Sequence, residues 1–315
     1  MSHTLNLAAI HDAARRISGK VVRTPALVRQ VGDLTLCLKP EGLQPIGAFK
    51  IRGAMNKMMQ LPEGCPGVVA HSSGNHAQAV ARAAKVLGIP AVIVMPSNAP
   101  PLKRMRTEAD GAEVIIVGPD SDERKLKARA IAQARGLVAV EPYDDVDIAA
   151  GQGTCAVELI DDVGPLDRFY APVSGGGLMA GCATAVAALC PEAEIVAVEP
   201  ETKDALKRSL EAGERVAVEP PPTIADGLRV RIPGEVTWPI LRDHVHRVAL
   251  VRDLELKQAM KWAYQELRIV LEPSGAASLA VALREGKGTC GVILTGGNVD
   301  PALFAHIAQR AAAPC

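Results

Sequence analysis

The chain has 315 residues, 48% of them hydrophobic and 22% charged, enough for one large core or for two lobes sharing a cleft. Lys plus Arg and Asp plus Glu both number 35, so no basic excess favours nucleic acid and no acidic tail is present. The longest apolar stretch, 179–190, is too short for a bilayer, and 1–10 lacks the basic and apolar regions of a signal peptide, so a cytoplasmic protein is expected.

In chain order, short β-rich runs are read at 35–38, 67–70, 91–95, 113–117, 168–171 and 195–198, with helical patterns at 49–61, 76–87, 122–135 and 178–189. Such alternation indicates βαβ units around parallel sheets with helices on both faces. A last helix is read over 301–311, and Pro220-Pro221-Pro222 reads as a stiff surface connection. The seven cysteines form no Cys-x-x-Cys pair and fit reduced, mostly buried thiols. His244 and His246 flank a valine, which would put both on one face of a strand, as surface or structural residues or as a metal pair.

The string Gly47-Ala48-Phe49-Lys50-Ile51-Arg52-Gly53-Ala54 places a lysine just past a glycine turn at a helix start. Burial lowers a lysine pKa and suits the amine to Schiff-base chemistry, although the string alone also fits a solvated lysine on an amphipathic helix. Three further glycine-dense segments stand at strand-to-helix junctions: Ser72-Ser73-Gly74-Asn75-His76, Ser174-Gly175-Gly176-Gly177-Leu178 and Thr295-Gly296-Gly297-Asn298. The triple glycine before an apolar helix is the best phosphate cradle, with a tight structural turn as its alternative. The Ser72 segment serves equally for ordinary helix capping when taken by itself. Neither a Gly-x-x-x-x-Gly-Lys-Ser/Thr nor a Gly-x-Gly-x-x-Gly after the first strand is present, which argues against an NTPase and a simple dinucleotide domain.

Taken in order with Arg23-Thr24-Pro25-Ala26-Leu27, Lys39-Pro40-Glu41-Gly42-Leu43-Gln44 and Leu294-Thr295-Gly296-Gly297-Asn298-Val299-Asp300, these strings resemble, nearly end to end, fold-type II pyridoxal phosphate enzymes of the serine/threonine dehydratase and serine racemase family. The resemblance implies an α/β fold of the tryptophan synthase β type, with two open twisted sheets, helices on both faces and the cofactor in the cleft between. It divides the chain into a small domain, 48–141, inserted in a large cofactor-binding domain made of 1–47 and 142–315. It implies a homodimer acting on a small amino acid. With one helix after the Thr295 motif there is no room for a C-terminal regulatory domain, so a catabolic or stand-alone enzyme is expected.

By the same resemblance Lys50 holds pyridoxal 5'-phosphate as a Schiff base and then removes the Cα proton. Phe49 packs beside the cofactor ring, Asn75 bonds its phenolic oxygen, and Ser174, Gly175, Gly176, Gly177 and Leu178 bind its phosphate. Thr295 faces the pyridine nitrogen, where a neutral alcohol disfavours a long-lived carbanion and favours loss of a β-hydroxyl. Glu272 lies near the reactive edge or, alternatively, supplies a helix N-terminal charge near Ser274. Ser72, Ser73, Gly74, Asn75 and His76 hold the substrate carboxylate.

The expected reaction is β-elimination from serine or threonine, giving a 2-oxo acid and ammonium. Ser73, where dehydratases commonly have alanine, leaves room for a racemase with a second acid/base or for a hydroxyaspartate or bulkier hydroxy amino acid dehydratase. Ala48 replaces a serine of many relatives. A non-catalytic pyridoxal phosphate-binding protein is the remote alternative. Some relatives bind a divalent cation after the strand ending at Glu199; here the later matched position is Ala205, with Asp204 beside it, which argues against such a cation.

Overall fold

The computed structural model describes residues 4–219 and 222–311; Pro220, Pro221 and Cys315, and so most of the triple-proline expectation, lie outside them. Ten strands are described: β1 (Leu27–Val31), β2 (Leu34–Pro40), β3 (Val68–His71), β4 (Ala91–Pro96), β5 (Glu113–Val117), β6 (Val138–Ala139), β7 (Arg168–Pro172), β8 (Glu194–Pro200), β9 (Arg247–Val251) and β10 (Gly288–Leu294). They build a six-stranded sheet, β1-β2-β10-β7-β8-β9, and a four-stranded sheet, β5-β4-β3-β6. All pairs are parallel except β1 with β2, a hairpin whose first strand, β1, the six expected strands did not include.

Pairing of β2 with β10 brings the two ends of the chain into one sheet and leaves the four-stranded sheet as an internal segment. Period-two alternation sends successive strand residues to opposite faces. Phe169, Ala171, Ile195 and Ala197 pack into one core and Tyr170, Val196 and Val198 into another, so helices cover both faces of the large sheet. Val68, Ala70 and Ile93 against Val69, Val92 and Val94 do the same for the small one.

Each expected strand and helix falls on an observed element. Helix Lys50–Met58 stops short of the expected residue 61, where Pro62 disfavours helical backbone at Leu61. The histidine expectation is corrected: His244 ends helix Thr237–His244 and His246 precedes β9, so they share no strand face, and His246 Nδ1 instead accepts the amide of Ile195 at 2.8 Å. Among the described residues, no helix is long and apolar enough to cross a membrane, and no group of three or more His, Cys, Asp or Glu is placed to hold a metal ion. Six described cysteines are free, and all but Cys65 are buried.

Helix Val146–Val163 has no counterpart among the expected elements; Gly151 and Gly153 weaken its helical pattern. Both instead permit close helix contact. A Cβ on Gly151 would lie 2.6 Å from Cα of Gly53 in helix Lys50–Met58, and one on Gly153 would lie 2.7 Å from the carbonyl oxygen of Gly181 in helix Gly177–Leu189.

Candidate active site

Open parallel sheets gather ligands at the carboxyl ends of their strands. Here the loops after β3, β7 and β10 carry the three glycine-dense segments. The turn before Lys50 is tied to the β10 loop by backbone bonds: Phe49 N donates to Thr295 O at 3.0 Å, Gly297 N donates to Gly47 O at 2.9 Å, and Ala48 bridges Gly296. This ties the amine-bearing turn to the β10 loop despite a sequence separation that no local pattern spans.

Below it, Arg52 is wholly buried and forks onto two carboxylates. Its Nε and Nη2 donate to Glu41 at 2.7 and 2.8 Å, and its Nη1 and Nη2 to Glu158 at 2.7 and 2.8 Å. Lys39, also wholly buried, pairs with Glu158 at 2.8 Å, while Thr24 Oγ1 donates to Glu41 at 2.7 Å. Charges taken this far out of water persist only when paired and hydrogen-bonded, so this cluster fixes the Lys50 helix against β2 and helix Val146–Val163.

Lys50 is half-buried, and its Nζ donates to the carbonyl of Pro142 at 2.7 Å rather than to a carboxylate. Burial pushes its pKa down to about 8, and Nζ lies 5.1 Å from the Phe49 ring centroid. Pro142 leads into Tyr143, whose ring covers Gly175 closely enough that any Cβ there would overlap it. Burial first, then Asp144 and Glu141, push the Tyr143 phenol up to about 12. Tyr143 thus links the lysine to the glycine loop.

Gly176, at φ +105°, adopts a backbone that only glycine takes readily and caps helix Gly177–Leu189 without a side-chain bond. Thr237 Oγ1 and Gly234 N both donate to Gly175 O, at 2.7 and 3.0 Å, which sets the loop from its other side. Among the described residues, the amides of Gly175, Gly176, Gly177 and Leu178 have no protein acceptor. Four donors at the positive end of a helix, beside a lysine amine with no carboxylate partner, fit a phosphate and an aldehyde on one small molecule.

Asn75 starts helix Asn75–Leu87, whose cap Gly74 makes no side-chain bond, so neither Ser72 nor Ser73 serves as the helix cap. Ser72 Oγ accepts the amide of Gly74 at 3.1 Å, and Ser73 is half-buried in the same turn. Asn75 Nδ2 donates to Glu272 at 2.5 Å, keeping a second hydrogen, and its Oδ1 accepts Asn298 Nδ2 at 2.9 Å. His76 Nε2 meets the carbonyl of Val140 at 2.9 Å and therefore carries the proton. Burial, then the Lys50 charge, hold His76 down at about 3, so it stays neutral.

Glu272 is buried at the N-terminus of the short helix Pro273–Ala276 but makes no side-chain capping bond there; its backbone N donates to Gly296 O at 3.0 Å. Burial raises its pKa, opposed by Lys103 at 3.4 Å. Burial opposes the Lys103 charge, yet Glu272 and Asp226, the latter at 2.7 Å, hold its pKa above the usual lysine value. Thr295 is buried, with Oγ1 donating to Ser274 O at 3.4 Å. Hydrogen bonds thus join the Phe49–Lys50 turn to Thr295 and Asn75 to Glu272, and Lys50 is joined to the Ser174–Leu178 loop through Pro142 and Tyr143. Sequence reasoning missed Pro142, Tyr143, Thr237 and Lys103. The Glu141-Pro142-Tyr143 string that follows β6 marks a turn but does not point to Gly175.

A profile described as "Pyridoxal-phosphate dependent enzyme" matches residues 19–296. An L-threo-3-hydroxyaspartate ammonia-lyase of Saccharomyces cerevisiae is 41% identical over 94% of both chains, and a serine racemase of Schizosaccharomyces pombe is 39% identical over 98% of this chain and 100% of its own. The crystal structure of a T.th. threonine deaminase superposes with a TM-score of 0.90 at 42% identity, over 94% of this chain and 99% of that one. With the amine, the uncapped glycine loop and the neutral alcohol already placed, these likenesses settle the lineage: the chain belongs to the pyridoxal-phosphate dependent enzymes, among their ammonia-lyases and racemases.

Proposed function

We propose that the protein is an ammonia-lyase that removes the β-hydroxyl of an L-serine- or L-threonine-type amino acid and yields a 2-oxo acid and ammonium. The observation that carries this reading is Lys50: its amine, with a pKa near 8 and bonded only to a carbonyl, can give up a proton without stranding a buried carboxylate. Bound pyridoxal phosphate supplies an electron sink for the Cα–H bond. Lys50 takes the Cα proton, the Ser72–His76 turn orients the substrate carboxylate, and the Ser174–Leu178 amides fix the phosphate. Thr295, a neutral alcohol rather than an acid, would leave the cofactor's ring nitrogen unprotonated; the β-hydroxyl would leave as water on taking up a proton, and a second water would hydrolyse the released imine to the 2-oxo acid and ammonium. In the same proposal 48–141 forms a small domain within a large one made of 1–47 and 142–315.

A second reading rests on Ser73, half-buried in the Ser72–His76 turn; in this reading its hydroxyl serves the Cα face that Lys50 does not. It admits racemisation, or elimination from a 3-hydroxyaspartate, as in the yeast relative. L- and D-serine, L- and D-threonine and threo-3-hydroxyaspartate are therefore assayed together, following 2-oxo acid, ammonium and the enantiomer ratio. Keto acid from at least one is expected; none from any would end the lyase reading. Ser73→Ala should lower racemisation by about 100-fold or more and leave elimination within about tenfold.

The Lys50 pKa also fixes a pH dependence. Only the neutral amine attacks an aldehyde, so the rate at which apoenzyme takes up pyridoxal phosphate should rise about tenfold per pH unit below about 8 and level off above it. Stopped-flow absorbance over pH 6 to 10 checks this, and a profile still rising steeply above pH 9 would mean that burial does not depress this amine.

A further inference from the structure

Lys203 has no exposed side-chain surface and belongs to none of the motifs assigned so far. It lies in the turn between β8 and helix Ala205–Ala212, its backbone amide donating to Pro200 O at 2.8 Å. Nζ stands 2.5 Å from Oε1 of Glu199, equally buried at the end of β8, and donates to the carbonyl of Ser174 at 3.4 Å. Glu199 is otherwise occupied by amides, Oε1 accepting Leu206 N at 3.0 Å and Oε2 accepting Lys207 N at 3.1 Å. Ser174 opens the glycine loop, and its own Oγ accepts Val230 N at 3.2 Å.

A lysine in apolar surroundings is costly unless its charge is used, and a hydrophobic residue of similar volume often packs as well or better. What this charge holds is the carbonyl at the first residue of the loop whose amides are free. We propose that Lys203 is a positioning residue: a built-in cation that ties the glycine loop to Glu199 and presents its amides to the cofactor phosphate, in the place a divalent cation would otherwise take at Glu199. A divalent cation does not fit there. Calcium or magnesium asks for about six or more oxygens, whereas both Glu199 oxygens are engaged and the Asp204 carboxylate is drawn to Arg208 at 2.8 Å. The proposal rests on the assignment of the glycine loop to the phosphate, and not on the choice of amino acid.

The test is a titration of apoenzyme with pyridoxal phosphate and, separately, with pyridoxal, each with EDTA and with added Mg²⁺, Ca²⁺ or Mn²⁺, following the absorbance of bound cofactor. Wild-type dissociation constants should stay within about twofold under all of these conditions. Lys203→Met should weaken pyridoxal phosphate about 10- to 100-fold and pyridoxal by less than about twofold, a difference that a merely structural role would not produce. Because Lys203→Met strands Glu199 and can misfold, the double variant Glu199→Gln/Lys203→Met removes both charges together, and the same selective loss is expected. Chelation that releases pyridoxal phosphate from the wild type, or a double variant with unaltered preference for the phosphorylated form, would overturn the proposal. Gly175→Ala is the control for the loop itself: if it keeps that preference, the loop assignment fails rather than the role of the lysine.

Discussion

Replacing Lys50 by alanine is expected to lower kcat by at least about 10³-fold, since the variant loses both the covalent anchor and the base. The fold should survive, because the side chain is half-buried and makes its one hydrogen bond to the Pro142 carbonyl. Borohydride reduction of reconstituted wild type should fix the cofactor on a peptide containing position 50, and the variant should take up no label. Turnover by Lys50→Ala within about tenfold of wild type would remove Lys50 from the chemistry and the lyase proposal with it.

The second large effect is on stability. Arg52→Met leaves Glu41 buried without its guanidinium and Glu158 with Lys39 alone, so unfolding in guanidinium chloride should show a loss of about 3–5 kcal/mol. Arg52→Lys keeps a charge but loses the fork and should fall between the two, because one ammonium cannot serve both carboxylates in the same geometry. A loss below about 1 kcal/mol for Arg52→Met would mean that the cluster reorganises around the missing group. Arg52 is two residues from Lys50 on the same helix, so the variant should also bind pyridoxal phosphate less tightly where it remains folded.

Much of this architecture was legible from local pattern. The β-rich runs at 91–95, 113–117 and 168–171 coincide with β4, β5 and β7, since short runs of β-branched or aromatic residues bounded by proline, glycine or aspartate leave few other solutions. Lys50, Asn75, Gly175 and Thr295 stood out as candidates because glycine-dense turns mark where backbone approaches a ligand and because the family resemblance runs through those same turns. What stayed hidden depends on distant partners. Helix Val146–Val163 looks broken until Gly53 and Gly181 are seen against its glycines, and Tyr143 carries no cue that its ring will cover Gly175. Lys203 reads as an ordinary surface lysine, because charge alone does not tell a buried ion pair from a solvated one.

The central helix Val146–Val163 touches the lysine-bearing helix through Gly151 and Gly53, and the helix behind the glycine loop through Gly153 and Gly181. Its two glycines stand barely half a helical turn apart. It therefore works as a spacer gauge: the span from the Lys50 turn to the Ser174–Leu178 loop is set by two backbone-to-backbone stops on one rigid rod. A methyl group added at either stop would act at long range, shifting the Lys50 turn relative to the Ser174–Leu178 loop while leaving the residues of both segments unaltered.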